Sequence, residues 1–232
     1  RMKLLHIMAT PRSHSSNTLR VANAFLEGMY AKYPDMEVEV LDLFDVDLPS
    51  VAGTNIEAKY TLMAGKLIDK RHQESWKQIE SFIEHFKAAD HYLITCPMWN
   101  FSIPYTLKYY IDCIVQPGYT FRYMEDGRPE GMVHNKRMVI ITSRGGDYSE
   151  SSPFHAYDFQ EPYLRAIFGW MGITDIEFVN AQPMDITPEI RQVAVQKGIE
   201  DARALAAVCD WVVTRPSEAK DLTGLKPKPI KK

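Results

Sequence analysis

Cysteine is scarce in this chain: three residues in 232, Cys96, Cys113 and Cys209, with no CxxC pair and no metal-ligand spacing. An odd count of unpaired cysteines fits free thiols in a reducing compartment and excludes a disulfide scaffold. Long apolar runs are missing as well, since none approaches the ~18 residues that a membrane span requires, and no signal-peptide pattern is found. The expected compartment is therefore the cytoplasm, without a membrane partner. Charge of one sign is absent too, because a formal net charge of −3 supplies no field to gather nucleic acid. Neither GxGxxG, nor GK[ST], nor a GxSxG elbow occurs, which removes the strongest signals for a dinucleotide, a nucleoside triphosphate or a strand-to-helix serine nucleophile.

What is present is an ordinary globular composition, 45% hydrophobic and 25% charged, with no internal repeat. The length suits one large domain, expected over 1–215, followed by a solvated basic tail over 216–232 that ends Lys226-Pro-Lys-Pro-Ile-Lys-Lys232. Arg1 ahead of Met2 reads as an appended residue.

Short apolar runs alternate with helical periodicity along the chain. Lys3 to Met8, Glu37 to Asp42, Tyr92 to Thr95, Met138 to Thr142 and Asp175 to Asn180 read as strands. Between and after them, Ala22/Phe25/Leu26/Met29, Trp76/Ile79/Ile83/Phe86, Leu107/Ile111/Ile114, Leu164/Ile167/Phe168/Met171 and Val195/Ile199/Ala202/Ala206 recur at helical spacing. The segment from Leu43 to about His72 is long for a connection and is expected to carry a short helix near Ile56, Tyr60 and Met63, as a lid or a face for a second copy. Five strands alternating with helices imply an α/β fold with a parallel sheet and helices on both faces.

Three strand ends carry chemistry. After the first strand, Thr10, Ser13, Ser15, Ser16 and Asn17 place hydroxyls at a helix start, where unpaired N–H groups and the dipole suit a phosphate; the plainer reading is a helix cap. After the third, Pro97-Met98-Trp99-Asn100-Phe101 offers two rings, a thioether and an amide on a proline-stiffened turn, suited to a flat, partly polar ring such as a flavin; the plainer reading is a hydrophobic turn over the core. After the fourth, Ser143-Arg144-Gly145-Gly146 lets the backbone approach a ligand and point N–H groups at the carbonyls of a flavin pyrimidine; the plainer reading is a turn with Arg144 paired to a surface acid. In a sheet of order 2-1-3-4-5 these ends converge at the switch point. Tyr119, Phe121 and Tyr123 alternate, as either a strip of stacking rings or a small hairpin.

With these motifs in view, the sequence resembles the FMN-dependent NADH azoreductases, the quinone-reducing branch of the flavodoxin-like fold. The resemblance rests on Thr10 with His14-Ser15-Ser16-Asn17, on Pro97 to Phe101, on Gly118-Tyr-Thr-Phe-Arg-Tyr123, on Ser143 to Gly146, and on Gly169-Trp-Met-Gly-Ile-Thr-Asp175. It covers about residues 3 to 208. Two positions depart from the family pattern: His14 replaces a small hydroxyl or acidic residue, and Trp99 replaces the usual Tyr, removing a phenol.

The resemblance implies a flavodoxin-like five-stranded parallel sheet and FMN bound by Thr10, His14, Ser15, Ser16, Asn17, Pro97, Met98, Trp99, Asn100, Phe101, Ser143, Arg144, Gly145 and Gly146. It implies NADH or NADPH as donor, quinones and azo compounds as acceptors in a ping-pong cycle, and a homodimer that completes the cleft. Trp99, Phe121 and Tyr148 are expected to bound the substrate space. No side-chain nucleophile or metal is expected, because the flavin carries the chemistry. Three other readings stand beside this one: a flavodoxin-type single-electron carrier, against which the mild charge argues; a hydrolase using Ser143 with His14 or His155; and a redox-inactive flavin-binding scaffold.

Overall fold

The computed structural model describes residues 1–12 and 15–212. His14 and the tail over 216–232 lie outside them. Among the described residues, seven strands and six α-helices follow in the order β1 (Lys3–Met8), α1 (Asn17–Lys32), β2 (Glu37–Asp42), α2 (Thr54–Met63), α3 (Lys70–Ala88), β3 (His91–Pro97), α4 (Tyr105–Ile114), β4 (Phe121–Tyr123), β5 (Pro129–Gly131), β6 (Arg137–Ser143), α5 (Glu161–Trp170), β7 (Asp175–Ala181) and α6 (Pro188–Val208). Strands β2-β1-β3-β6-β7, in that order, form a five-stranded sheet with every pair parallel. Numbered among themselves, these five run 2-1-3-4-5, the expected order, because the first crossover goes one way from β1 and the rest go the other.

Why the central strands read as unbroken apolar runs is evident from their neighbours. In β1, β3 and β6 successive side chains point to opposite faces, and both faces are covered. Leu4, Leu93, Val139 and Ile141 join Val21, Phe25 and Met29 of α1 and Val195, Ala202 and Ala206 of α6 in one core. Leu5, Ile7, Tyr92, Ile94, Met138 and Ile140 turn the other way, into a second core with Trp76, Ile79, Ile83 and Phe86 of α3, Tyr110 and Ile111 of α4, and Leu164 and Phe168 of α5. Helices α1 and α6 approach so closely that a Cβ on Gly28 would lie 2.6 Å from the Cβ of Ala206. Glycine is required there by contact rather than by conformation.

Two local expectations need refinement. Strand β3 runs on through Cys96 and Pro97, pairing with Thr142 and Ser143 of β6, so the platform starts as strand rather than as loop. The alternating aromatics after α4 do not make an exposed strip. Tyr119 turns back to accept a hydrogen bond from Trp76 Nε1 (3.1 Å) and donate one to Glu80 Oε1 (2.6 Å), Phe121 is buried, and β4 pairs with β5 as a small antiparallel hairpin.

Candidate active site

The ends of β1, β3, β6 and β7 meet at the carboxyl edge and enclose a cleft of about 610 Å³. Thr10, Ser15, Ser16, Asn17, Pro97, Met98, Trp99, Ser143, Arg144 and Gly145, all read from the sequence as cofactor-binding, line it together. At its β1 wall, Ser16 is the N-cap of α1 and its Oγ accepts from Leu19 N–H at 3.3 Å. No acidic residue stands in the first turn to compete with an anion there. The Thr10 hydroxyl is buried with no hydrogen-bond partner among the described residues, an unmet donor that a phosphate oxygen would satisfy. Thr18 Oγ1 shares a 2.7 Å hydrogen bond with Ser143 Oγ, fastening the helix start to the end of β6.

The platform is a tight turn. Trp99 and Ser102 exchange two backbone hydrogen bonds, each 3.0 Å, around Asn100 and Phe101, whose φ angles are +49° and +69°. Both central residues at positive φ are the mark of a type I′ turn, which favours Asn at the first position and Gly at the second. Phe101 at the second therefore sits in a conformation that costs about 1–3 kcal/mol, of the kind that concentrates at functional sites. Its ring leans on Tyr157 (centroids 5.1 Å apart) and Tyr148 (6.1 Å). The Trp99 indole is flanked by Phe44 at 6.0 Å and Tyr105 at 6.2 Å.

At the β6 end, a Cβ on Gly145 would lie 2.5 Å from Asp185 Oδ2, and one on Gly146 would lie 3.1 Å from the Tyr148 hydroxyl. Within the chain, the side chains that crowd the diglycine are thus Asp185 at Gly145 and Tyr148 at Gly146. Arg144 is 1% exposed; its Nη1 donates to Asp158 Oδ2 at 2.8 Å and its Nε to Thr142 Oγ1 at 3.2 Å. The pairing acid is buried, where the plainer reading of this motif expected a surface one. Asp158 Oδ1 accepts from the N–H groups of Gln160 and Glu161, and Gln160 Nε2 donates to the Pro97 carbonyl at 2.9 Å. This chain of bonds ties the diglycine to the platform from beneath.

The remaining sequence-derived residues stand elsewhere. Asn100 faces an adjoining apolar recess with Ile103, Tyr105, Phe159 and Tyr163. Phe101, Gly146 and Tyr148 form a contact group at the platform's side. Phe121 is not brought to the cleft within one chain: it packs under Trp170 and against Tyr123, centroids 5.6 Å apart in each case. Six lining residues escaped the sequence reading: Pro11, Arg12, Thr18, Met184, Asp185 and Arg191. The last three follow β7, whose loop carries no Gly-rich or hydroxyl-rich signal; only the register of β7 beside β6 brings it in.

Among the described residues, no serine or threonine hydroxyl of the cleft is bonded to a histidine. Burial pushes the Cys96 and Cys113 thiols up to about 12 and Cys209 up to about 11, and the Cys96 thiol accepts a weak hydrogen bond from Gln160. Ser143 Oγ bonds to Thr18 Oγ1, and His155 Nδ1 is engaged with the Tyr148 carbonyl at 2.9 Å, while His14 lies outside the described residues. No group of three or more His, Cys, Asp or Glu that could hold a metal occurs among the described residues.

A cleft at the switch point of a doubly wound parallel sheet, with a helix start at one end and an aromatic turn at its side, defines a mononucleotide-binding α/β protein. The chain belongs to the flavodoxin-like fold family, whose profile matches residues 2–206. Among its relatives, the FMN-dependent NADH:quinone oxidoreductase 3 of Pseudomonas fluorescens is 35% identical over 206 residues, 88% of this chain and 95% of the relative. The FMN-dependent NADH:quinone oxidoreductase of Nitratidesulfovibrio vulgaris is 37% identical over 204 residues, 88% of this chain and 97% of the relative. Among solved structures, an azoreductase from Bacillus anthracis superposes with a TM-score of 0.79 at 26% identity, covering 89% of this chain and 99% of that one. An FMN-dependent NADH-azoreductase from the same organism, in complex with FMN, gives 0.74 at 30% identity, covering 89% and 100%.

Proposed function

We propose that this chain is an FMN-dependent NADH:quinone oxidoreductase, a single domain over 1–215 that also takes azo compounds as acceptors. The observation that carries the reading is the fit of one cleft to one cofactor: an unmet buried hydroxyl and a helix N-terminus at one end, an aromatic turn and a side-chain-free backbone at the other. Relatives more than a third identical over most of their length carry that activity in their names. Bound FMN would supply hydride chemistry, taking two electrons from NADH or NADPH and passing them to a quinone or azo compound in alternating, ping-pong order.

The protein's part is to hold and orient. The first-turn N–H groups of α1, with Thr10, Ser15, Ser16 and Asn17, would hold the phosphate. Pro97, Met98 and Trp99 would flank the ring, the Asn100 N–H, on the recess that adjoins the cleft, would be offered to its redox nitrogen, and the Gly145 and Gly146 N–H groups would support the pyrimidine edge. Trp99 and Tyr148 border the acceptor space. Arg144 acts through Asp158 and Gln160, as a strut. Exposed rings at Tyr105, Phe154, Tyr157 and Phe159, each 49–68% exposed beside the platform, support a homodimer that covers them. No helix among the described residues is long and apolar enough to cross a membrane, and three buried free thiols suit the cytoplasm.

Anaerobic stopped-flow absorbance tests the reading. NADH should bleach the flavin band of the purified protein, and a quinone mixed in afterwards should restore it fully. A protein that neither retains nor takes up FMN would overturn the proposal, and sedimentation as a monomer would overturn the dimer.

A further inference from the structure

Four charged residues line the cleft: Arg12, Arg144, Asp185 and Arg191. Arg12 is exposed on the hydroxyl loop, and Arg144 is matched by Asp158 within the wall. Asp185 and Arg191 have no role in the reading above. They arrive from the loop after β7 and from the start of α6, and that loop is fixed: Met184 N–H donates to the Arg144 carbonyl at 2.8 Å and Asp185 N–H to the Gly145 carbonyl at 3.0 Å. The Asp185 carboxylate faces Gly145 itself, with Oδ2 2.5 Å from the place a Cβ there would occupy. Arg191 anchors through Nε to the Met184 carbonyl at 2.6 Å, while its Nη2 stands 3.4 Å from Asp185 Oδ1. The carboxylate is therefore aimed at the diglycine and only loosely compensated.

We propose that Asp185 and Arg191 form an opposed charge pair that tunes the reduction potential of the cofactor, the carboxylate resisting and the guanidinium favouring negative charge at the ring edge held by Gly145 and Gly146. This inference rests on the FMN reading above. Reducing FMN adds two electrons. At low pH they arrive with two protons, at N5 and N1, and the ring gains no charge. At higher pH only the N5 proton is taken, and the pyrimidine edge gains one negative charge. A neighbouring carboxylate opposes that charge, so it holds the N1 proton on to higher pH and lowers the potential beyond that point; a guanidinium does the reverse. Both side chains are partly exposed, 74% for Asp185 and 45% for Arg191, so each effect is screened to about 3-fold in the ratio of reduced to oxidised cofactor at a fixed potential.

The test is a dye-mediated redox titration of the FMN-loaded full chain, followed by visible absorbance at a series of pH values. Asp185→Asn should raise the high-pH potential and move the break in the pH dependence down by about half a unit. Arg191→Gln should lower the potential and move the break up, Arg191→Lys should restore it, and all variants should converge at low pH. A merely structural pair would move both neutral variants in the same direction. FMN retained with coincident curves, or with shifts of one sign, overturns this inference alone. A chain that holds no FMN overturns it together with the reading on which it rests.

Discussion

Thr10 Oγ1 is a donor enclosed in protein and left unbonded among the described residues, at the point where the fold offers a helix N-terminus. A buried hydroxyl without a partner costs about 1–3 kcal/mol, which a ligand oxygen would return. Thr10→Val keeps the shape and removes the donor. FMN affinity should fall about 5- to 10-fold in a fluorescence titration, while the melting temperature without FMN stays level or rises. Unchanged affinity would take Thr10 out of the site. At Gly145 the constraint is volume: a valine there meets Asp185 and the space beside it. Gly145→Val should lower the flavin-to-protein absorbance ratio after desalting by at least ~10-fold, because the side chain displaces the backbone from its ligand. A stoichiometric flavin content would show that the diglycine does not approach the ring. The same substitution at Gly146 meets the outer end of the Tyr148 ring first and should be milder.

Between elements, the Arg144–Asp158 pair does the joining. It fixes the end of β6 to the start of α5, since Asp158 also accepts from the first N–H groups there, and Gln160 carries the link on to β3. With side chains 1% and 4% exposed, neither charge has water to fall back on. Breaking such a pair from one side strands the other charge and costs about 3–5 kcal/mol. Arg144→Met should therefore lower the melting temperature by ~10 °C in a chain of this size. Arg144→Met combined with Asp158→Leu should melt above the single variant. Should the single variant melt like the parent, the pair is not the strut described.

Stability of the whole molecule should respond to acid through two histidines set inside the sheet. His6, 5% exposed with Nε2 2.9 Å from Thr95 Oγ1, is lowered by burial to about 4, and His91 is lowered to about 4 by the same cause. Below about 6.5 the unfolded chain takes up protons that the folded chain refuses down to about 4. Their contribution is thus fully present above the unfolded value and is lost as pH falls through that window, roughly 3 kcal/mol for His6 alone. Chemical denaturation at a series of pH values should show stability falling from about pH 6.5 towards 4, with a shallower slope in His6→Gln. An equal slope in that variant would mean that His6 is not held neutral.

The sequence by itself determined the alternation of elements, the double burial of the central strands and three of the four loops at the cleft. Those features are written locally, in apolar runs such as Leu4 to Met8, in hydroxyls before a helix and in glycine pairs. Strand order came with the resemblance to the flavodoxin-like fold, since alternation alone implies a parallel sheet with right-handed crossovers and not the order of its strands. Tertiary structure alone decided what depends on neighbours distant in the chain. Asp185 and Arg191 have no local signal and reach the cleft because β7 pairs with β6. Of the two readings of Tyr119, Phe121 and Tyr123, packing decided for the hairpin, since Trp170 covers Phe121 and Trp76 and Glu80 hold Tyr119. Arg144 was expected beside a surface acid, but the fold buries it against Asp158. Spacing along the chain fixes which way a side chain points; only packing fixes what it meets.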